Sequence, residues 1–217
     1  MDNGVKTSNA AVLAFGDRPL PRALTGLPTL SVDDVPGPFG RLIVVGTDAD
    51  LAAVLSRLLR ADRLDVEVGY VPRRRTFATR AYRAPAGRRA ARRASRGVAS
   101  RVPLIRDETG KVVVGRASWL PADGQAMIHG EAVVDDTVLF DGDAVGADIE
   151  PTLSLPGLRV ALRDGRPWRR WMRSWVSGRA AQLGTTGAAV LRDGVPAPRK
   201  VRRSTFYRNV EGWLLVR

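Results

Sequence analysis

The stretch Arg41-Leu-Ile-Val-Val-Gly-Thr-Asp-Ala-Asp-Leu-Ala-Ala-Val-Leu-Ser-Arg-Leu-Leu-Arg60 decides how this chain is read. Arg41 to Val45 is a short apolar, β-branched run, the pattern of a parallel strand buried on both faces. It passes through the tight turn Gly46-Thr-Asp-Ala-Asp50 into a helix over Leu51 to Arg60. Leu51, Val54, Leu55, Leu58 and Leu59 recur at helical spacing and form one apolar stripe. After Asp62, the segment Leu64 to Val71 reads as a second strand, stopped by Pro72. Together these make a β-turn-α-β unit, the smallest piece of an open α/β sheet.

Upstream, Pro19, Pro21, Pro28, Pro36 and Pro38 break residues 1–40 into loops around one short strand candidate, Ala10 to Phe15. Downstream, Arg73 to Arg101 holds eleven arginines in 29 residues and no acid. Beyond it the pattern becomes short β-like runs: Val102–Ile105, Lys111–Val114, Ala126–Ile128, Glu131–Val134, Thr137–Phe140, Thr152–Leu155 and Leu158–Leu162. A helix is expected near Trp168 to Val176, followed by strands at Gly187–Arg192, Arg202–Tyr207 and Trp213–Val216. The expected organisation is an α/β nucleotide-binding-like domain over 1–87, a basic linker helix over 88–101, and a β-rich, sandwich-like C-terminal domain over 102–217.

Composition narrows the chemistry. With 217 residues and no cysteine, the chain buries a core without disulfides and has neither a thiol nucleophile nor thiolate metal ligands. A single histidine, His129, argues against His-based triads and multi-His metal sites, and is expected on a strand end without catalytic duty. The net charge of +13 favours phosphate-bearing partners. Only three of the 35 basic residues are lysine, an arginine bias that also fits a GC-rich genome. No window approaches the roughly 20 apolar residues needed to span a bilayer, and Met1 to Ala14 lacks the pattern of a signal peptide. The expected location is cytoplasmic, with peripheral membrane visits allowed.

Three constellations carry chemistry. The first is the turn after the strand, where backbone N–H groups and the helix dipole converge in a geometry that binds phosphate. The plainer alternative is that Asp48 or Asp50 simply caps the helix. The second is Arg88, Arg89, Arg92, Arg93 and Arg96, one basic helical face opposite Ala90, Ala91 and Ala94. It suits nucleic-acid phosphates or an anionic membrane, or is a solvated linker face. The third is Trp168, Trp171, Met172 and Trp175 at helical spacing between arginines, a pattern for a membrane-interface anchor or a helix packed on a sheet. The acids Glu131, Asp135, Asp136, Asp141, Asp143, Asp148 and Glu150 are expected to be solvated or paired with arginine, and no metal site is assigned.

In place and context, Gly46-Thr-Asp-Ala-Asp-Leu51 resembles the Gly-Gly-Asp-Gly-Thr loop of the diacylglycerol kinase and lipid kinase family, which extends to the NAD kinases. Gly46, Asp48 and Leu51 match, while Thr47, Ala49 and Asp50 stand where the family has Gly, Gly and Thr. That family's next strand ends in Pro before a Gly-Thr-Xaa-Asn-Asp loop and a Phe-Ala helix. Here Gly69-Tyr-Val-Pro72 leads to Arg73-Arg-Arg-Thr76 and Phe77-Ala78. The flanks match and the loop does not. Near the C-terminus Asp193-Gly194-Val195 resembles the family's Asp-Gly-Glu, and the early Asn-Pro-Xaa-Ser-Gly motif has no counterpart.

The resemblance implies transfer of a phosphoryl group from ATP, with Mg²⁺, to a lipid hydroxyl. Asp193 would be the catalytic base. Gly46, Thr47, Asp48, Asp50, Arg73, Arg74, Arg75 and Thr76 would hold the nucleotide. Arg88, Arg89, Arg92, Arg93, Arg96, Trp168, Trp171 and Trp175 would meet the anionic membrane. The lost glycines add Cβ atoms where backbone must approach phosphate. Asp50 adds a carboxylate expected beside the phosphate oxygens, a repulsion of roughly 4 kcal/mol at ~4 Å and an effective dielectric near 20. The chain therefore reads as a divergent, catalytically weakened or inactive relative. The alternative is a non-catalytic basic module that grips nucleic acid or anionic lipid surfaces.

Overall fold

Leu42, Ile43 and Val44 have no exposed surface in the computed structural model, which describes residues 9–17, 19–164 and 174–217. Their strand, β2 (Arg41–Val45), lies in parallel between β1 (Ala10–Ala14) and β3 (Glu67–Tyr70). Side chains along it alternate between two covered faces. Leu42 and Val44 pack with Leu51, Leu55 and Leu58 of α1 (Asp48–Arg60). Ile43 packs on the other face with Val12 and with Ala90, Ala91 and Ala94 of a later helix, Gly87–Arg96. A strand covered on both sides has no polar face to show, which is why its sequence is apolar throughout.

Between β3 and that helix lies α2 (Phe77–Ala81), so Gly87–Arg96 is α3. The basic segment expected as a linker is thus the second cover of the first sheet. Its alanines allow a close approach that Gly69 completes, since a Cβ there would lie 2.6 Å from the Ala94 Cβ. Arg41 locks the far end. Its guanidinium donates to the carbonyls of Ala94, Ser95 and Gly97 at 3.1–3.3 Å and to Glu67 at 2.6 Å. A cation on the last carbonyls of a helix satisfies orphan acceptors and complements the dipole.

The first sheet is completed from the far end of the chain. Its order is β1-β2-β3-β16-β4, with β4 (Ala99–Val102) on the edge and β16 (Trp213–Val216) between β3 and β4. The tail expected in the C-terminal domain is therefore an inner strand of the N-terminal sheet, parallel to β3 and antiparallel to β4. Trp213 is buried edge-on against Tyr82, with ring centroids 5.3 Å apart.

The remaining strands belong to a single eleven-stranded sheet. They are β5 (Ile105–Asp107), β6 (Val112–Val113), β7 (Ala117–Pro121), β8 (Ile128–Val134), β9 (Thr137–Ala144) and β10 (Ala147–Pro151). They continue with β11 (Leu158–Leu162), β12 (Val176–Gly178), β13 (Ala180–Arg192), β14 (Val195–Pro196) and β15 (Val201–Arg208). β-rich is right for this half, but its strands are hydrogen-bonded in one sheet rather than in two. β13 is its spine: the first half pairs with β8, the second half with β7, and a register shift falls between Gly184 and Ala188. The core there gathers on Trp119, whose indole N–H donates to Ser204 Oγ at 3.0 Å.

Four strands escaped sequence reading: β7, β10, β12 and β14. β7 carries a Ser and a Pro. β10 carries Asp148 and Glu150, buried because Arg116, Arg159 and Arg163 pair with them. Thr152–Leu155, expected as a strand, is the turn that follows β10. The two sheets meet at α1, where Val112 and Val114 join the cluster under the helix and Ser56 Oγ accepts from the Val112 N–H at 2.9 Å, while the rest of the second sheet packs its own cluster around Trp119. The tail Trp213–Val216 returns past the expected boundary at residues 88–101 into the first sheet. Among the described residues, no helix is long and apolar enough to cross a membrane.

Gly69→Ala should destabilise the protein by about 1–3 kcal/mol, because the added methyl overpacks the α3 contact. The urea midpoint is expected to fall with an unchanged slope; an unchanged midpoint contradicts the close-packing account.

Candidate functional site

The turn that opens α1 is closed internally. Thr47 is the N-cap, and its side chain accepts from the Asp50 N–H. Asp50 Oδ2 returns to the Thr47 N–H at 2.7 Å and the Thr47 hydroxyl at 2.8 Å, a reciprocal capping box. A Cβ on Gly46 would lie 2.5 Å from Asp50 Oδ2, so Gly46 leaves room for this carboxylate. Asp50 is engaged at the helix start, and it takes the Thr47 N–H, a donor that an open loop would offer to an anion.

Asp48 points elsewhere. Oδ1 accepts from the Tyr70 hydroxyl at 2.8 Å and Oδ2 from the Ala78 N–H at 3.1 Å. The carboxylate thus ties α1 to the end of β3 and to the first turn of α2, which Thr76 caps through its own reciprocal box with Thr79. Burial raises the Tyr70 phenol above its ordinary range, and the neighbouring Asp48 charge raises it further. Tyr70 is held as a neutral donor to Asp48.

Asp193 arrives from the end of β13. Arg192 and Val195 are paired across a two-residue loop, Asp193-Gly194, with both φ angles positive at 48° and 87°. This is the conformation that Asp-Gly hairpin turns adopt. The side chain folds back onto the segment between β6 and β7. Oδ1 accepts from the N–H groups of Gly115 (2.7 Å) and Arg116 (2.9 Å), and Oδ2 from Val114 (3.0 Å). Arg192, one residue earlier, is pinned by an ion pair at 2.5 Å with the fully buried Asp107.

Both carboxylates converge on Gly115. A Cβ at that position would lie 2.6 Å from Asp48 Oδ2, 2.9 Å from Asp193 Oδ1 and 3.0 Å from the Phe77 Cβ. The absence of a side chain at Gly115 is what lets both acids approach this stretch of backbone. Burial pushes the Asp193 carboxyl up to about 7, against the pull of its three backbone donors, and the Asp48 charge adds to the rise. A buried acid that titrates near neutrality beside a second acid can exchange protons at physiological pH.

Of the expected site residues, Asp48 and Asp193 meet at Gly115, while Gly46, Thr47 and Asp50 form the turn that opens α1 and Thr76 caps α2. Arg73, Arg74 and Arg75 are exposed on the loop before α2, and the Gly87 N–H donates to the Pro72 carbonyl, which holds the start of α3 beside that loop. Arg88, Arg89, Arg92, Arg93 and Arg96 are exposed along the outer face of α3. Trp168 and Trp171 lie outside the described residues. Trp175 is half-buried, with the Arg159 guanidinium 4.2 Å from its ring centre. His129 sits on β8 and pairs with Asp143 on the surface at 3.0 Å. Sequence reading missed Tyr70, Gly115 and Arg116. Only Gly115, a glycine between an apolar run and an arginine, carried any signal. Arg116 stacks on Phe77 at 3.8 Å and pairs with Asp148 and Glu150.

No protein-family model and no curated protein matches the sequence. The fold does have known counterparts. An NAD kinase from Archaeoglobus fulgidus, solved in complex with ATP, is similar at TM-score 0.65 and 16% identity, over 96% of this chain and 93% of that one. A diacylglycerol kinase from Bacillus anthracis str. Sterne is similar at TM-score 0.68 and 11% identity, over 96% of both chains. The chain shares a kinase-like fold with these two proteins.

The Asp193 environment makes stability depend on pH with a defined sign. An unfolded aspartate releases its proton near 3.8, while the folded group holds it to about 7. Between these values the folded state binds more protons, so this group's contribution falls as pH rises and levels off above 7. Melting temperatures of the wild type and Asp193→Asn at pH 5 and pH 8 should therefore converge or cross, with the wild type losing more. Parallel profiles would contradict the buried, shifted carboxyl.

Proposed function

We propose that the protein is a divergent lipid-kinase-like nucleotide-binding protein in which ATP is the phosphoryl donor and a lipid hydroxyl the acceptor. The observation that carries this reading is the meeting of Asp48 and Asp193 at Gly115, in a fold shared with an ATP-complexed NAD kinase and a diacylglycerol kinase.

In this reading Asp193 is the general base. Its oxygen takes the proton as the acceptor O–H bond breaks, the acceptor oxygen bonds to the γ-phosphorus, and the bond from that phosphorus to the bridging oxygen breaks to release ADP. A carboxyl near 7 is partly ionised at neutral pH and suits this task. Backbone donors on both its oxygens fix the orientation. Asp48, held by Tyr70 and the Ala78 N–H, positions the nucleotide side of the junction. Exposed Arg73, Arg74 and Arg75 supply guanidinium forks for the phosphates.

Mg²⁺ would arrive with the nucleotide, and Asp48 is the carboxylate placed on the nucleotide side of the junction. Asp48 would hold the ion together with phosphate oxygens, and Mg²⁺ supplies neutralisation of phosphate charge. The closed Thr47–Asp50 box removes one anion-binding N–H, so the chain binds phosphate through arginine more than through its loop. This supports turnover well below that of an open glycine loop.

A second reading rests on a separate observation. Five exposed arginines lie along α3 with no acid within that helix, although like charges at such spacing destabilise a helix by a few tenths of a kcal/mol per pair. That face suits a phosphate-rich surface, and the protein would then be a non-catalytic binding module for nucleic acid or anionic lipid.

Calorimetric titration with ATP separates the readings. The kinase-like reading expects saturable binding that requires Mg²⁺, is lost in Asp48→Ala, and survives in Asp193→Asn while transfer falls by about 10²-fold or more. Mg²⁺-dependent binding that persists in Asp48→Ala removes the assignment of that loop. The module reading expects no ATP heat, and binding to vesicles or duplex DNA that weakens steeply with salt.

A further inference from the structure

α1 has a second stripe besides the one that packs on the sheet. Ala49, Ala52, Ala53, Ser56, Arg57 and Arg60 follow each other at helical spacing on the side facing the second sheet. They form one wall of a cavity of about 370 Å³, within the size range of small-molecule sites. Thr109, Gly110, Lys111 and Val112 of the β5–β6 turn form the second wall, and Arg192, Asp193, Val195 and Pro196 of the β13–β14 hairpin the third. None of Gly46, Thr47, Asp48 or Arg73 to Thr76 lines it. The cavity meets the acid pair through Asp193 alone.

Its lining is divided by chemistry. The floor is apolar and small: the three alanines, Val112 and Pro196, with the exposed Val195 as a lip. Ser56 is already satisfied, donating to the Ala52 carbonyl at 2.7 Å and accepting from the Val112 N–H. The lining also carries cations. Arg57 shares one amino group with the exposed Asp33, and Arg60 uses its Nε–H on the Ser56 carbonyl at 3.1 Å, so both keep further N–H groups that can donate. Lys111 is exposed. Arg192 is neutralised by Asp107, and Asp193 is the one acid of the lining. A lining with this excess of cations over acids suits an anion.

We propose that this cavity is the acceptor site, and that it takes an anionic amphiphile: a compact apolar body on the alanine floor, a phosphate at Arg57, Arg60 and Lys111, and a hydroxyl at Asp193. This assignment rests on the reading of the acid pair as a phosphoryl-transfer centre. Donor and acceptor then approach Asp193 from two sides, the nucleotide from Asp48 and the acceptor from α1. The phosphate could belong to a lipid or to a soluble phosphate ester, and the chemistry recognised is the same.

The test is calorimetry on the full chain without nucleotide, using short-chain lysophosphatidic acid, the monoacylglycerol of the same chain, and glycerol 3-phosphate. The lysophosphatidic acid should bind about ten-fold or more tighter than the neutral monoacylglycerol. Arg60→Ala/Lys111→Ala should lose that advantage. Ala53→Leu, at an exposed helix position that tolerates the larger side chain, should fill the slot and weaken binding by a similar factor. All variants should keep the ATP affinity of the wild type. Glycerol 3-phosphate binding as tightly as the lipid supports the site and names a soluble ester as its ligand. Equal binding of the neutral lipid, or unaltered binding in both variants, overturns the proposal. ATP binding without amphiphile binding fails this inference alone, while amphiphile binding without ATP binding fails the kinase-like reading and leaves an anion site.

Discussion

The strand Trp213–Val216 lies between β3 and β4, and everything else about the site follows from that placement. An inner strand of a sheet must be present before its neighbours can satisfy their backbone groups. The chain therefore leaves the first sheet after β4, builds the whole second sheet, and must return to close the first. This ties the two sheets together over α1, where Val112, Val114 and Trp213 join the cluster that holds the helix residues Leu51 and Leu55. With the sheets so fixed, the hairpin at the end of β13 has one place to go, and its turn delivers Asp193 to the segment Val114–Arg116 beside Asp48.

The buried acids sort into two kinds by what faces them. Asp148 and Glu150 on β10 meet arginines, and Asp107 meets Arg192 at 2.5 Å. Removing one partner of such a pair strands a charge, at a cost of roughly 3–5 kcal/mol, so these are structural ties. Asp193 meets only backbone N–H groups and another carboxylate. A structure that needed only a hairpin turn there would be served by Asn-Gly without the electrostatic penalty. The Asp107–Arg192 pair anchors the residue next to Asp193, and this rigid neighbour holds the acid in a setting that disfavours its charge.

The two loops beside Asp48 use their donors differently. Thr47 and Asp50 close the start of α1 on itself, while Arg73, Arg74 and Arg75 are exposed on the loop before α2, beside α3. One loop spends a backbone donor within its own turn, and the other presents guanidinium groups to solvent. Asp48 lies between them, bonded to both neighbouring elements. The capping box stabilises α1 whether or not any anion binds there.

The local order of this protein was legible in its sequence wherever hydrophobic period settled the matter: β2, the apolar stripe of α1, and the alanine and arginine faces of α3. The Gly-Thr-Asp turn and the Asp193-Gly pair were legible as well, because turn chemistry is local. Strands β7 and β10 were not, since the charges of Asp148 and Glu150 are neutralised by arginines remote in sequence. Nor were the roles of Tyr70 and Gly115 legible, because a tyrosine on a strand and a glycine after an apolar run have no meaning until two acids from distant segments converge on them. Only the tertiary structure decided that the last strand belongs to the first sheet, that the basic segment covers that sheet, and that Asp48 and Asp193 meet at Gly115. The physical reason is that each depends on burial and pairing between parts of the chain that no local pattern connects.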